Sequence, residues 1–196
     1  MSGDGGTLAQ DAAVAALCAK YGGDGRHGRH VAGLARRLFE AFSPLHGLGQ
    51  DAERLLEHAS QLHDIGYFIA AKGHHRHSAY IALNDAQLAD YPADAREILA
   101  AVVRNHRKRA RPGPKSWPKE RRQAVLWLSA LLRVADSLDY DHTQAADIAE
   151  VRQSGQGFEI LVRGVDPRPA AVRLAGKADL LEGLVGGPVR FAEARR

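Results

Sequence analysis

A chain of 196 residues with 45% hydrophobic content carries enough apolar material for one core, which means one domain or one domain with a small appendage. Its single cysteine, Cys18, excludes a disulfide framework and a cysteine-based metal site and reads as a buried spectator thiol, and no apolar run approaches the ~18 residues of a membrane span. The net charge of +4 is uneven, since nine of the 27 Lys and Arg residues fall between Arg104 and Arg122. That run is either a solvated loop and helix start or a positive field that draws in an anion.

Met1–Gly6 has neither the basic region nor the following apolar stretch of a signal peptide, so a cytoplasmic location is expected. Leu8, Val14, Leu17 and Tyr21 predict a first amphipathic helix, ended by Gly22-Gly23. Val31, Leu34, Leu38 and Phe42 predict a second, with His30 on the face of Leu34 and Leu38 and a stop before Pro44. Asp51 is placed to cap a third, apolar at Leu55, Leu56, Ala59 and Leu62, which runs into His63-Asp64-Ile65-Gly66 with Gly66 as a natural stop. A loop through Lys72, Gly73, His74, His75 and Arg76 leads to a short helix from His77 to Asn84. Pro92 and Asp94 introduce a helix through Ile98, Leu99, Val102 and Val103 to His106, and three prolines make Arg109 to Pro118 a loop. A long apolar helix follows through Ala124, Val125, Leu128, Leu131, Leu132, Ala135 and Leu138.

After about Asp147 the period changes. Ile148–Val151 and Phe158-Ile160-Val162, flanking Gly155-Gln156-Gly157, read as a β-hairpin; Ala171 to Val185 reads as helix and Val189–Phe191 as a third short strand. The expected fold is mostly α, a helical bundle with a small C-terminal α/β appendage of hairpin, helix and strand. Residues 1–22 form an N-terminal helix and tail, 23–146 the bundle and 147–196 the appendage.

The dipeptide His63-Asp64 means little alone, because this His and Asp content gives about one such pair by chance. Its surroundings add weight. His30 precedes it, His77 and His106 follow it, and Asp136 closes the set within an apolar helix. Imidazoles and carboxylates are ligands for divalent metals, and a carboxylate can bridge two ions. Adjacent residues on a helix point about 100° apart, so His63 and Asp64 converge on one ion only near a helix end facing other ligand-bearing helices. Blander readings stand beside this one: a histidine at a helix end caps or hydrogen-bonds, and Asp136 pairs with Arg133 three residues back. A carboxylate in so apolar a helix is nevertheless costly unless paired or metal-bound.

The order His, His-Asp, His, His, Asp resembles the HD-domain superfamily of metal-dependent phosphohydrolases. More narrowly, "LHDIGYFIAAKGHHRHSAYI", "VVRNHRK" and "LLRVADSLDYDH" look like the C-terminal HD-type domain of the exopolyphosphatase/guanosine pentaphosphatase (Ppx/GppA) family, over about Tyr21 to Phe191. The resemblance implies that 23–146 is an HD domain, with His30, His63, Asp64 and Asp136 as core metal ligands. It also implies His77 and His106 as the extra histidines of binuclear members, in which the aspartate of the dipeptide bridges the ions. His74 and His75 read as a loop pair beside the site. Lys72, Arg107, Lys108 and Arg133 are the candidate substrate-binding cations.

In that family acetate-kinase-like nucleotidase domains come first, whereas about twenty residues precede the resemblance here and no glycine-rich phosphate loop occurs. The expectation is therefore an HD site acting alone, through one or two divalent ions (Mn, Fe, Zn, Mg or Ni), with His63 and Asp64 at its catalytic centre. It would hydrolyse a nucleotide or another small phosphorylated anion by metal-activated water. The competing readings are a regulatory module that binds polyphosphate, an alarmone or nucleic acid, and a structural partner for separately encoded nucleotidase domains. Nucleic acid is disfavoured because Trp117 alone interleaves with the basic run. The alanine-rich first helix offers a homodimer interface.

Overall fold

The apolar positions set out above become one buried face after another in the structure, a computed structural model that describes residues 4–22 and 25–194. Six helices come first: α1 (Asp4–Lys20), α2 (Arg26–His46), α3 (Gln50–Leu62), α4 (His74–Asn84), α5 (Ala93–Asn105) and α6 (Lys119–Leu138). They are followed by β1 (Asp147–Ser154), β2 (Gly157–Arg163), α7 (Pro167–Ala175), α8 (Asp179–Val185) and β3 (Val189–Glu193). The fold is mostly α with a small α/β appendage. Gly23, expected at the end of the first helix, lies outside the described residues, as do Met1, Ser2 and Gly3. None of the helices described is long and apolar enough to cross a membrane.

Helix α6 is buried almost all round from Val125 to Leu138, as a helix must be when its apolar residues cover every face. The bundle closes about it. Leu38 and Phe42 of α2, Leu56 and Leu62 of α3 and Leu99 of α5 have no exposed surface and form one core with Leu128, Leu131 and Leu132 of α6. The appendage joins this core rather than standing apart. The Phe158 ring lies 5.0 Å from that of Phe42, and Ile160, Val162, Leu174 and Leu181 share the same cluster. Its sheet has the order β1-β2-β3: β1 and β2 pair antiparallel as a hairpin, whereas α7 and α8 form the crossover that a parallel β2–β3 pair requires.

Several local expectations are corrected. Helix α2 runs through Pro44 to His46. Pro44 lacks the N–H that would reach the Glu40 carbonyl, but the Ser43 hydroxyl donates to that oxygen at 2.7 Å, and left-handed Gly47 then ends the helix. Asp51 lies in the first turn of α3 and is not its cap, which is Gly49. Helix α4 begins at His74, three residues earlier than expected, because Gly73 in the left-handed region turns the chain into it. The stretch expected as one helix from Ala171 breaks between Ala175 and Asp179 into α7 and α8, leaving Lys177 in the turn. Cys18 is half-buried, and its thiol donates to the Gln61 carbonyl at 3.6 Å.

Gly66 has a different role from the expected helix stop. A Cβ there would run into the His74 carbonyl and the Ser78 amide, so only glycine lets the tight turn Ile65–Phe68 pack directly on the start of α4. The Gly66 amide donates to Ser78 Oγ at 2.8 Å across that contact. Gly28 does the same for α2 and α3: a Cβ would stand 3.0 Å from the Gln61 backbone. These two close approaches bring the ends of three helices to one place.

Candidate metal centre

Helix ends supply nearly every polar group at that place. His27 sits in the first turn of α2, His63 at the C-terminus of α3 with Asp64 next to it, and His74 is the first residue of α4. His106 caps α5, Asp136 lies in the last turn of α6, and Asp139 caps α6. Among the described residues, two sets of three can hold an ion: His27, His63 and Asp64, and Asp64, His74 and His106.

Asp64 belongs to both sets and faces them with different oxygens. Its Oδ2 lies 3.4 Å from His63 Nε2 and 3.9 Å from His27 Nε2. Its Oδ1 lies 3.3 Å from His74 Nε2 and 3.5 Å from His106 Nε2. Asp136 Oδ1 joins the first side, 3.4 Å from His63 Nε2 and 3.7 Å from His27 Nε2. Most of these separations are long for hydrogen bonds. They suit ligand atoms around a common ion: donors about 2.1 Å from a tetrahedral metal stand roughly 3.4 Å from each other.

The outward nitrogens explain why the inward ones are bare. His63 Nδ1 donates to the Ser60 carbonyl at 2.7 Å, His106 Nδ1 to Val103 at 2.7 Å and His74 Nδ1 to Ala71 at 3.0 Å. His27 Nδ1 meets Asp139 Oδ2 at 2.8 Å, and Asp139 is itself held by the Gln144 amide at 2.7 Å. An Nδ1 facing a carbonyl oxygen must carry the proton, so the neutral tautomer presents an Nε2 lone pair inward, as in metal-ligating histidines. His27 Nε2 and His63 Nε2 are buried without a hydrogen-bond partner. His74 Nε2 and His106 Nε2 approach to 3.1 Å, where two lone pairs repel unless a proton or cation lies between them. The residues therefore fit divalent metal on both sides of Asp64.

The electrostatics agree. Burial disfavours charge on His63, but Asp64 and Asp136 outweigh it and raise that imidazole to about 9. His27 is raised likewise, Asp136 and Asp139 prevailing over burial and His63. Burial and the nearby His63 charge hold His106 well below its ordinary range, and burial lowers His74. Asp136 is held well below the carboxylate range, since His27, His63 and Lys177 overcome its burial. The Oδ2 side thus calls for positive charge, and the other side keeps its imidazoles neutral, the form that binds metal.

Of the expected ligands, His63, Asp64, His106 and Asp136 converge, whereas His30 and His77 join neither set. His27 and His74 stand in the two candidate sets in their place. The centre lies at one end of the bundle, so His27 and His74, each in the first turn of its helix, reach it, and the histidines one turn farther along do not. His30 Nε2 is buried and unpartnered. Sequence reasoning also missed Asp139, His142, whose ring stacks on His27 with centroids 3.7 Å apart, and Lys177. Asp139 and His142 lie within the quoted "LLRVADSLDYDH"; Lys177, in the appendage, carried no signal. Its Nζ donates to Asp136 Oδ2 at 2.7 Å and to the His106 carbonyl at 3.1 Å.

A cavity of about 280 Å³ opens over Asp64, His74, His106 and Asp136, with Arg107 and Lys177 on its wall. His74, Arg107 and Lys177 also line a larger cavity of about 680 Å³, which Lys72, Lys108 and Arg133 border. The Arg133 guanidinium is buried and committed to the protein: it donates to the Lys108 carbonyl at 2.6 Å, the Lys177 carbonyl at 3.1 Å and Asp179 at 2.5 Å. It braces that cavity and does not pair with Asp136.

The chain matches the family described as Ppx/GppA phosphatase, domain III, over residues 10–163. It is also 33% identical over 90 residues to a guanosine-5'-triphosphate,3'-diphosphate pyrophosphatase of Pseudoalteromonas atlantica (strain T6c / ATCC BAA-1087). That similarity covers 45% of this chain and spans 18% of the relative's length.

Proposed function

The chain belongs to the Ppx/GppA phosphatase domain III family, and from that premise we propose that it is an HD-type metal-dependent phosphohydrolase acting on a nucleotide or another small phosphorylated anion. One observation carries the reading: a single carboxylate, Asp64, with a pair of inward Nε2 atoms on each of its oxygens. His27, His63, Asp64 and Asp136 would hold one divalent ion, and Asp64, His74 and His106 a second. Metal bound there supplies Lewis-acid polarisation of a phosphoryl oxygen and lowers the pKa of water toward neutrality.

The chain's own groups do the rest. Asp139 fixes the His27 ring through Nδ1, and Ser60, Val103 and Ala71 fix the other three, so the ligands are oriented before anything binds. Arg107 and Lys177 overlook the centre and place positive charge where the equatorial oxygens of a phosphoryl group gather negative charge. The test is metal analysis of the purified protein with a screen of nucleotides, cyclic nucleotides and phosphate monoesters. The expected result is bound transition metal and a turnover that Asp64→Ala abolishes. Turnover that survives Asp64→Ala would sink the assignment, and metal-free protein that binds polyphosphate or an alarmone without hydrolysing it would favour a regulatory module.

A further inference from the structure

Two cavities border Asp64, a third adjoins one of them through His74, Arg107 and Lys177, and their walls differ in kind. The adjoining one, of about 680 Å³, shares Arg107 and Lys177 with the cavity over the candidate ligands. Lys72, Arg107, Lys108 and Arg109 line it, and none has an ion-pair partner among the described residues. Asp179, the one carboxylate on its wall, is taken by Arg133. Its only rings are the imidazoles of His74 and His75, with no Phe, Tyr or Trp in its lining, and its volume exceeds what one phosphoryl group needs. Arg133 holds both sides of the opening by donating to the Lys108 and Lys177 carbonyls, so the cationic wall is built in advance.

Beside His27 and His63, which face Asp64 Oδ2 where His74 faces Oδ1, lies a cavity of about 420 Å³ of the reverse character. Tyr21, Ile65, Tyr67 and Phe68 line it together with the amides of Gln61 and Gln144, and no Lys or Arg does. The Tyr21 and Phe68 rings meet edge to face, with centroids 5.1 Å apart. A flat, apolar group with a few polar edges suits this pocket, and a chain of phosphates suits the other.

We propose that the substrate is an aromatic-capped polyphosphate, a nucleoside triphosphate being the simplest, lying across Asp64 with its base in the Tyr21–Phe68 pocket and its β- and γ-phosphates in the Lys72–Arg107–Lys108 cavity. This deepens the phosphohydrolase reading and rests on it. The cavity over the candidate ligands shares Asp64, Tyr67 and His142 with the aromatic pocket and His74, Arg107 and Lys177 with the cationic one, so it links the two and the phosphoryl group nearest the nucleoside occupies it. Cleavage then falls at the α–β anhydride. Water oxygen bonds to the α-phosphorus, and the bond to the bridging oxygen breaks with its electron pair remaining on the departing pyrophosphate. One water proton goes to the pyrophosphate and one to solvent, giving a nucleoside monophosphate.

Two measurements test this separately. Protein treated with EDTA is titrated calorimetrically with inorganic tripolyphosphate. Salt-sensitive binding is expected that Lys108→Glu or Lys72→Glu weakens about tenfold each and that Asp64→Asn retains. Binding indifferent to both lysine substitutions overturns the cavity assignment, with circular dichroism confirming that each variant is folded. Manganese-loaded protein is then given ATP or GTP in ¹⁸O-water and followed by ³¹P NMR. Pyrophosphate with ¹⁸O in the monophosphate is expected. Orthophosphate as the first product, or ¹⁸O in the leaving group, overturns the orientation. Loss of all turnover overturns the phosphohydrolase reading and the cleavage position with it, and the tripolyphosphate titration still decides the cavity.

Discussion

Replacing His27 with alanine separates the candidate ligand set proposed from the structure from the one expected a turn farther along at His30. His27 Nε2 stands 3.9 Å from Asp64 Oδ2 and 3.7 Å from Asp136 Oδ1, so the substitution removes one of four donor atoms on that side. The Asp64 Oδ1, His74 and His106 side keeps all of its atoms. Partners that merely orient a ligand are worth ~10–100-fold in metal affinity. A direct ligand should therefore cost at least ~100-fold, or ~2.7 kcal/mol, for one ion and little for the other. Without metal, the same change leaves Asp139 Oδ2 short of its 2.8 Å partner in a buried position, at ~1–3 kcal/mol of stability. His30→Ala removes an imidazole whose Nε2 has no partner, so metal content should be unchanged and stability should move by less than ~1 kcal/mol. The assay is metal content by mass spectrometry after dialysis at a fixed free-metal concentration, with thermal melts in metal and in EDTA. One ion fewer in His27→Ala alone is the expected outcome. An ion lost from His30→Ala, or full occupancy in His27→Ala, would refute the assignment.

Metal at a hundredfold excess over its Kd should stabilise the protein by ~2.7 kcal/mol per site, read as a rise in melting temperature that EDTA reverses and His63→Ala reduces. Gly66→Ala should cost ~1–3 kcal/mol by overpacking and weaken metal binding as the start of α4 moves away with His74, whereas Gly33→Ala, with open space around its Cα, should do neither. His58 supplies a pH dependence away from the centre. Burial holds its pKa below the ordinary 6.5, although Asp11 Oδ1 lies 2.9 Å from Nε2; Arg54 adds to the lowering and the Tyr91 hydroxyl stands 2.8 Å from Nδ1. Below about pH 6.5 the unfolded chain takes up a proton that the native chain refuses, so stability present above that pH falls as the solution is acidified. Urea midpoints between pH 8 and 5 should show a fall that is smaller in His58→Gln; an equal fall in both would remove His58 as its source.

How much of this was legible in the sequence depended on whether a feature was periodic or positional. The buried faces of α2, α3, α5 and α6 follow from apolar residues three and four apart, and the hairpin from alternation around Gly155. His63-Asp64 and His106 were legible because they fall where apolar runs end. His27 and His74 were not, because choosing between histidines three residues apart requires knowing where a helix starts, and glycines set those starts. Gly25 and Gly73 both adopt the left-handed region just before α2 and α4. A rule that candidate ligands at the end of a bundle come from the first or last turns of its helices would have preferred His27 to His30 and His74 to His77.

Lys177 was illegible for a deeper reason. Nothing in the alternating pattern after Asp147 suggests that the appendage contributes to the centre, and a single helix across 171–185 would have carried Lys177 past it. The break between α7 and α8 hands the Lys177 carbonyl to Arg133, and its ammonium reaches Asp136 and the His106 carbonyl. Arg133 is buried on α6 one turn before Asp136, so the same helix that offers a candidate ligand also fixes the residue that neutralises that carboxylate's outer oxygen. The charge at the candidate centre is therefore set jointly by bundle and appendage. Arg133→Met, which keeps volume and removes the three donations, should disturb metal binding although Arg133 touches no ligand atom. Metal affinity in that variant equal to the parent's would show that the appendage is only a lid on the core.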